Sequence, residues 1–228
     1  MALMERDEKE RFLADAARIV DRCRRCAIGS TRKRTVYGEG DACAELMIVG
    51  EGPGETEDEM GRPFVGRAGE LLDRMLLAIG LEREAVYICN TVKCRPTLFD
   101  GVRLRNRAPE ADEMANCRSY LDEQIDVVRP RVILALGAPA AKSFLGQGFS
   151  ITKQRGQWFV GPHDIPLMAS FHPAYVLRQT GGEINAVKRL VWEDLKAVRR
   201  KLDEPPPVPA QAALAQAVQP DLFGTDAW

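Results

Sequence analysis

Residues 46–66 read LMIVGEGPGETEDEMGRPFVG, and the fold follows from how that stretch is parsed. The run Leu46-Met47-Ile48-Val49 has the length and bulk of a buried strand. Gly50, Gly52, Pro53 and Gly54 then turn the chain sharply. Five acids, Glu51, Glu55, Glu57, Asp58 and Glu59, follow within nine residues. Phe64 sits in a Gly-Arg-Pro-Phe-Val-Gly turn, and a helix pattern begins at Ala68. A turn at the C-terminal end of a buried parallel strand is where open α/β sheets place their ligands. The loop lacks the Gly-Lys-Ser/Thr of a phosphate cradle, and clustered carboxylates would repel a pyrophosphate. It reads either as a solvated acidic turn or as a site, with Phe64 either a satellite core residue or a stacking platform.

Outward from that stretch, strands alternate with helices. An amphipathic helix over residues 9–22 runs into Cys23-Arg24-Arg25-Cys26 and the basic Arg32-Lys33-Arg34. Residues 68–80 form a helix, and Val86–Asn90 a second strand, stopped by Cys94-Arg95-Pro96. Residues 97–108 read as an irregular basic loop with Arg103, Arg105 and Arg107, followed by a helix with Pro109 in its first turn. Val132–Leu136 is a third strand, and Gly137 and Pro139 open a helix to Leu145. Pro166–Phe171 is a fourth strand and delivers His172-Pro173; residues 184–202 are the last helix. Near-continuous apolar strands imply a parallel sheet covered on both faces. The expected fold is therefore a three-layer α/β/α sandwich around a mainly parallel, four-stranded sheet. It brings Glu51, Asn90 and His172 to one sheet edge. Of the two histidines, His163 reads as a hairpin residue in a Gly-Pro-His-Asp turn.

At 228 residues, with 45% apolar and 29% charged residues, the chain has enough length for one full core. No apolar run is long enough to span a membrane, and MALMERDEKE is too polar for a signal peptide, so a cytoplasmic, nucleoid-associated monomer is expected. The net charge of −1 decides little, because the charge is segregated along the chain. Six cysteines in that compartment argue against disulfides. Cys43 and Cys89 fit small core hydrophobes. Cys23, Cys26, Cys94 and Cys117 remain as a four-cysteine metal site, with zinc and an iron–sulfur cluster both open on spacing alone.

The motifs GEGPGE, GRPFVGRAG, VYICNTVKCRP, NRAP, VRPRVILALGA and FHPAYVLR stand in this order between residues 50 and 178. Together they resemble family 4 uracil-DNA glycosylases, the iron–sulfur type of this superfamily. The resemblance implies base excision repair: a uracil flipped out of DNA and its N-glycosidic bond hydrolysed, leaving an abasic site. It implies a 4Fe–4S cluster on Cys23, Cys26, Cys94 and Cys117. Phe64 resembles the ring on which uracil stacks, worth about 1–3 kcal/mol. Asn90 resembles the amide that reads the uracil edge and rejects cytosine, and His172 the donor to uracil O2. Glu51 takes the position that orients water. Glu57, with Asp58 beside it, takes the place that crowds the C5 methyl of thymine, and the Gly52 backbone approaches the base. Tyr175, Val176, Leu177 and Arg178 resemble a loop that enters the duplex, in preference to a plain helix start. The arginines near the cysteines and at 103–107 are expected to meet phosphates. The segment from Thr97 to Arg105 is longer than the family's usual connection.

Two other readings rest on the same residues. A metal-dependent phosphohydrolase would use the acidic loop and need magnesium. A non-catalytic binder of damaged DNA would bind without turnover; one relative bonds to the abasic sugar through a histidine in an inserted loop, and Thr97–Arg105 contains none. The catalytic domain is expected to span residues 1–203. After it, residues 204–228 form a Pro/Ala-rich tail whose Gln219-Pro220-Asp221-Leu222-Phe223 resembles a bacterial sliding-clamp motif. Gln219, Leu222 and Phe223 would make that contact, with Pro220 a departure from the usual aliphatic residue.

Overall fold

The computed structural model describes residues 4–205. The tail residues Gln219, Leu222 and Phe223 lie outside the described residues. The elements are α1 (Arg6–Asp21), β1 (Glu39–Gly40), β2 (Leu46–Gly50), α2 (Glu55–Met60), α3 (Arg67–Ala78), β3 (Tyr87–Asn90), β4 (Thr97–Phe99), β5 (Leu104–Asn106), α4 (Ala111–Val128), β6 (Val132–Leu136), α5 (Ala138–Leu145), α6 (Ile151–Gln154), β7 (Trp158–Val160), β8 (Pro166–Ser170), α7 (Pro173–Arg178) and α8 (Gly181–Asp203).

The main sheet has the order β1-β3-β2-β6-β8-β7. Its four inner strands are parallel, whereas β1 and β7 pair antiparallel at the two edges. The α/β class and the parallel core stand as read from the sequence, but the sheet has six strands rather than four. The two additional strands are two and three residues long and only partly covered, too short to carry a period. His163 lies in the turn between β7 and β8.

Side chains alternate across the sheet, as a pleated strand dictates. Met47 and Val49 point into the layer that holds α1 and α4, and Leu46 and Ile48 into the opposite layer with α3 and α8. Every residue of β2 and β6 is buried, which explains their unbroken apolar sequence. The chain passes from β2 out to β3 and then back across β2 to β6. Strand order therefore reverses beside β2, and a crevice opens at that point above the C-terminal strand ends. Among the described residues no helix is long and apolar enough to cross a membrane.

Two loops differ from the sequence reading. Part of the acidic loop coils into α2, which Gly61 ends in the left-handed conformation at φ 73°. The basic stretch after Pro96 is a hairpin, with β4 and β5 paired Thr97↔Asn106, Leu98↔Arg105 and Phe99↔Leu104.

Candidate functional site

The C-terminal ends of the parallel strands open into a cleft of about 590 Å³. The loop after β2 supplies Glu51 and Gly52, α2 supplies Glu57, β3 supplies Asn90, and the segment after β8 supplies His172, Tyr175 and Arg178. Phe64 closes the wall.

Asn90 ends β3 directly opposite Gly50 and is 2% exposed. A Cβ on Gly50 would lie 2.3 Å from the Asn90 Oδ1 and 2.7 Å from the Phe64 Cζ. The bare backbone at Gly50 is what lets the amide and the ring meet over the strand end. Glu51 follows, its backbone held by β3's continuation: the Val92 N–H donates to the Glu51 carbonyl at 3.2 Å, and the Thr91 hydroxyl donates to the same oxygen. Burial raises the Glu51 carboxyl above its ordinary value, with the Arg178 charge pulling the other way.

Phe64 adopts φ 49°, a backbone conformation that costs a non-glycine residue free energy. Arg83 holds it there. Its guanidinium donates to the Phe64 carbonyl at 3.1 Å and to the Pro63 carbonyl at 2.5 Å, while pairing with Asp73 and Glu39 at 2.8 Å each. Gly69 completes the turn, since a Cβ there would lie 1.7 Å from the Phe64 carbonyl oxygen. The ring stacks on His172 with centroids 5.4 Å apart and planes 25° apart.

His172 is the N-cap of α7, and its Nδ1 accepts the Ala174 N–H at 3.1 Å. That bond places the proton of the neutral ring on Nε2, leaving a donor for the cleft. Burial, followed by the Arg178 charge, pushes the imidazole pKa down to about 4, with Glu57 opposing. At the end of β8, the Ser170 hydroxyl donates to Asp194 at 2.6 Å, and the Arg155 Nε donates to the same carboxylate at 2.9 Å. This buried pair ties the end of β8 to α8.

The acids of the loop disperse. Glu55 pairs with Arg95 at 3.3 Å and Glu59 with Lys33 at 2.6 Å. Glu57 accepts the Val65 and Gly66 N–H groups at 3.0 and 2.9 Å, which fixes it on the cleft wall. Asp58 turns the other way: it is 2% exposed and accepts the Lys33 and Arg34 N–H groups at 2.9 and 3.3 Å. It braces the basic loop and does not line the cleft. Among the described residues no three His, Cys, Asp or Glu side chains are arranged to hold a metal ion.

Residues 175–178 belong to the short helix α7, not to an open loop. Tyr175 stacks on Phe171 at 4.8 Å, Val176 is buried in the core, and Leu177 and Arg178 face solvent.

The four cysteines singled out by spacing gather at a corner between α1, α4 and the segment after β3, Cys94 and Cys117 buried and Cys23 and Cys26 partly so. Their sulfurs are close enough for the charge of one to raise the pKa of another, although they do not converge in metal-holding geometry. Donors already face them: the Lys93 N–H lies 3.3 Å from the Cys117 Sγ and the Arg32 Nη1 3.6 Å from the Cys94 Sγ. Burial pushes the Cys94 thiol up to about 12, Arg32 opposing. A four-thiol set with N–H donors on its sulfurs suits a thiolate-ligated metal or cluster.

Sequence reasoning missed the residues that position others. Arg83 carries no local signal, because its partners are distant in sequence. Lys93 carried one, a lysine inside an apolar segment: it is fully buried, and its Nζ donates to the Asn90 carbonyl at 2.7 Å and to the Gln124 Oε1 at 2.5 Å.

A family model described as the uracil DNA glycosylase superfamily matches residues 37–196, beginning after Cys23 and Cys26. A type-4 uracil-DNA glycosylase of Thermotoga maritima is 43% identical over 84% of this chain and 95% of its own. Another from Sulfurisphaera tokodaii is 43% identical over 78% of this chain and 79% of its own. A type-5 uracil-DNA glycosylase of Pyrobaculum aerophilum is 32% identical over 74% of this chain and 75% of its own. With the motifs in order and their residues meeting in one cleft, the chain belongs to the uracil DNA glycosylase superfamily and, within it, to the type-4 uracil-DNA glycosylases.

Proposed function

We propose that the protein flips uracil out of DNA and hydrolyses its N-glycosidic bond, working as a monofunctional glycosylase in base excision repair. The observation that carries this reading is the meeting of Glu51, Phe64, Asn90 and His172 in one cleft at the sheet edge. The base stacks on Phe64 while the Asn90 amide, accepting from N3–H and donating to O4, reads its edge. Cytosine presents the opposite pattern and would leave buried groups unpaired. As the C1′–N1 bond breaks, its electron pair passes to uracil and charge builds on O2, where the Nε2–H of neutral His172 donates to it. Water attacks C1′ and yields its proton to the Glu51 carboxylate, whose charge also offsets the oxocarbenium character of the sugar. Glu57, fixed beside the cleft by two backbone N–H groups, takes the position that excludes the thymine methyl, and Gly52 lines the approach. Tyr175, Leu177 and Arg178 present the DNA-facing side of α7, with Val176 anchoring it from the core.

The cluster reading assigns one 4Fe–4S group to Cys23, Cys26, Cys94 and Cys117. Its support is the all-thiol donor set, the N–H groups facing two of the sulfurs, and the resemblance to iron–sulfur glycosylases. The group would tie together three chain segments, and no step of the reaction runs through it. Domain organisation follows the same logic: a catalytic domain to residue 203, where α8 ends, and a tail in which Gln219, Leu222 and Phe223 tether the enzyme to a sliding clamp.

Incubation of the protein with a uracil-containing oligonucleotide in the presence of chelator, followed by alkali, tests the activity. Free uracil and strand cleavage at the uracil position are expected; an intact strand after excess enzyme sinks the reading.

A further inference from the structure

The β4–β5 hairpin is built as a firm projection beside the cleft. At its base the Arg107 N–H donates to the Pro96 carbonyl at 3.1 Å, and the Arg107 guanidinium grips Glu113 at 2.6 and 2.7 Å. The Arg95 Nε donates to the Asn106 side chain at 2.7 Å. At its tip, Asp100 accepts the Val102 and Arg103 N–H groups at 3.0 and 2.9 Å, and the Arg105 guanidinium closes on the same carboxylate. Gly101 takes φ 94°, which the turn requires.

What this projection presents is unusual for solvent. Phe99 is 62% exposed and Leu104 40%, and the two are paired across the strands. Side chains two apart share a face of a strand, so Phe99 and Leu104 lie on the face that also carries Asn106. Asn106 lines the cleft. The apolar pair therefore lies on the same face of the hairpin as a residue of the cleft wall. The other face carries Arg105 with Leu98 opposite it, and Arg103 stands in the turn above. An exposed apolar pair with one aromatic ring, with Arg103 in the turn above it, matches single-stranded nucleic acid in both of its parts: a base stacks on the Phe99 ring, and a phosphate meets Arg103.

We propose that the Phe99–Leu104 face receives the nucleotides adjoining the flipped uracil, so that the hairpin is a second DNA-contacting element beside α7. This rests on the glycosylase reading, because it takes the cleft as the place where the base leaves the strand. The contact holds the strand and takes no part in bond cleavage. Its chemistry is sequence-tolerant, since every base offers a face for stacking.

The test is the affinity of the full chain for a duplex containing a non-hydrolysable 2′-fluorinated deoxyuridine, read by fluorescence anisotropy. Phe99 and Leu104 are exposed, so Phe99→Ser with Leu104→Ser does not open the core. The double variant is expected to bind about tenfold more weakly, the loss of one stacked base. Arg103→Ala is expected to lower the slope of log affinity against log salt by about one, as loss of a single phosphate contact does. Unchanged affinity in the double variant overturns the proposal. So does a wild-type dimer in sedimentation that the double variant dissolves while DNA affinity stays constant, since the face then covers a second copy of the chain. Uracil release from an ordinary deoxyuridine duplex by the wild-type protein is scored separately. Failure there sinks the glycosylase reading, whereas failure of the hairpin leaves uracil release in place.

Discussion

The cleft and the cysteine corner are held by different physics. In the cleft Glu51, Asn90 and His172 sit at or just past the ends of buried strands, so sheet register sets their positions: Asn90 opposite Gly50, His172 just beyond β8. In the corner the four cysteines come from the end of α1, the loop after it, the segment after β3 and the middle of α4, and no ladder joins them. What holds them is a set of side-chain bonds to backbone. The Arg32 guanidinium alone donates to the carbonyls of Asp21, Cys23 and Gly29 at 2.8 to 3.2 Å. A site set by register is formed by folding alone. A corner set by arginine–carbonyl bonds has burial and mutual repulsion of its sulfurs to overcome, and gains most from a bound group.

The cleft is the more sensitive of the two regions. His172→Ala removes the donor to the developing charge on uracil and should lower kcat/KM by about 10²–10³-fold, the cost of losing one oxyanion donor. The visible absorbance that the proposed cluster would give should not change. A loss of colour in step with activity would mean that the two regions are one unit. Gly50→Ala should cost less, about tenfold to a hundredfold, the range expected when reacting groups are displaced by about an ångström. It adds no charge and removes no donor, but its methyl group collides with Asn90 and Phe64. Steady-state kinetics on a uracil oligonucleotide reads both variants, and wild-type kinetics for Gly50→Ala would show that the strand end is not the tight fit described.

How much of this could be read from the sequence follows the same division. Strands β2, β3, β6 and β8 were legible because unbroken apolar runs mark parallel strands, and Glu51, Asn90 and His172 because they fall at the ends of those runs. The edge strands were not, since two or three half-covered residues carry no period. Asp58 was placed with the site because it adjoins Glu57 in sequence, yet a helical turn sends the two carboxylates to different sides. Arg83 illustrates what no local pattern can carry: its partners Glu39, Pro63, Phe64 and Asp73 converge only once the chain has folded.

On the corner side, Cys94→Ser should remove iron, bleach the visible absorbance and lower the melting temperature, while kcat/KM well below that temperature stays within about tenfold of the wild type, the shift expected of less than 1.4 kcal/mol. Retained colour would exclude Cys94 as a ligand. Lys93 tests whether the regions communicate, because it touches both: its N–H faces the Cys117 Sγ and its Nζ holds the Asn90 carbonyl. Lys93→Met leaves buried acceptors on Asn90 and Gln124 without their donor, a loss of about 1–3 kcal/mol in stability. If Lys93 positions Asn90, discrimination between uracil and cytosine should also fall, and a purely structural lysine would lower the melting temperature alone.

The smallest effect expected is an absence of titration, and it isolates the electrostatics of the cleft. Free imidazole in a protein commonly titrates near pH 6.5, but burial and Arg178 hold His172 down to about 4. Its proton count thus changes between folded and unfolded chains from about pH 4 to about pH 6.5, where the unfolded chain binds more protons. Stability associated with His172 is complete above that window and is lost as pH falls through it. The activity consequence runs in the same direction, because Nε2–H donation from a neutral ring persists down to the depressed value. Glu51 behaves oppositely. Its carboxyl is raised by burial, so the folded chain holds the extra proton, stability falls as pH rises through the raised value, and the working carboxylate is lost on the way down. Between pH 6 and 8 the kcat/KM profile should therefore be flat with respect to His172, and its acid limb should belong to Glu51. In Glu51→Gln the residual activity should lose that limb, and the protein should be more stable than wild type at neutral pH because the buried charge is gone. An acid limb near pH 6.5 that survives in Glu51→Gln would assign it to His172, and with it a charged ring that the Ala174 N–H bond to Nδ1 does not allow.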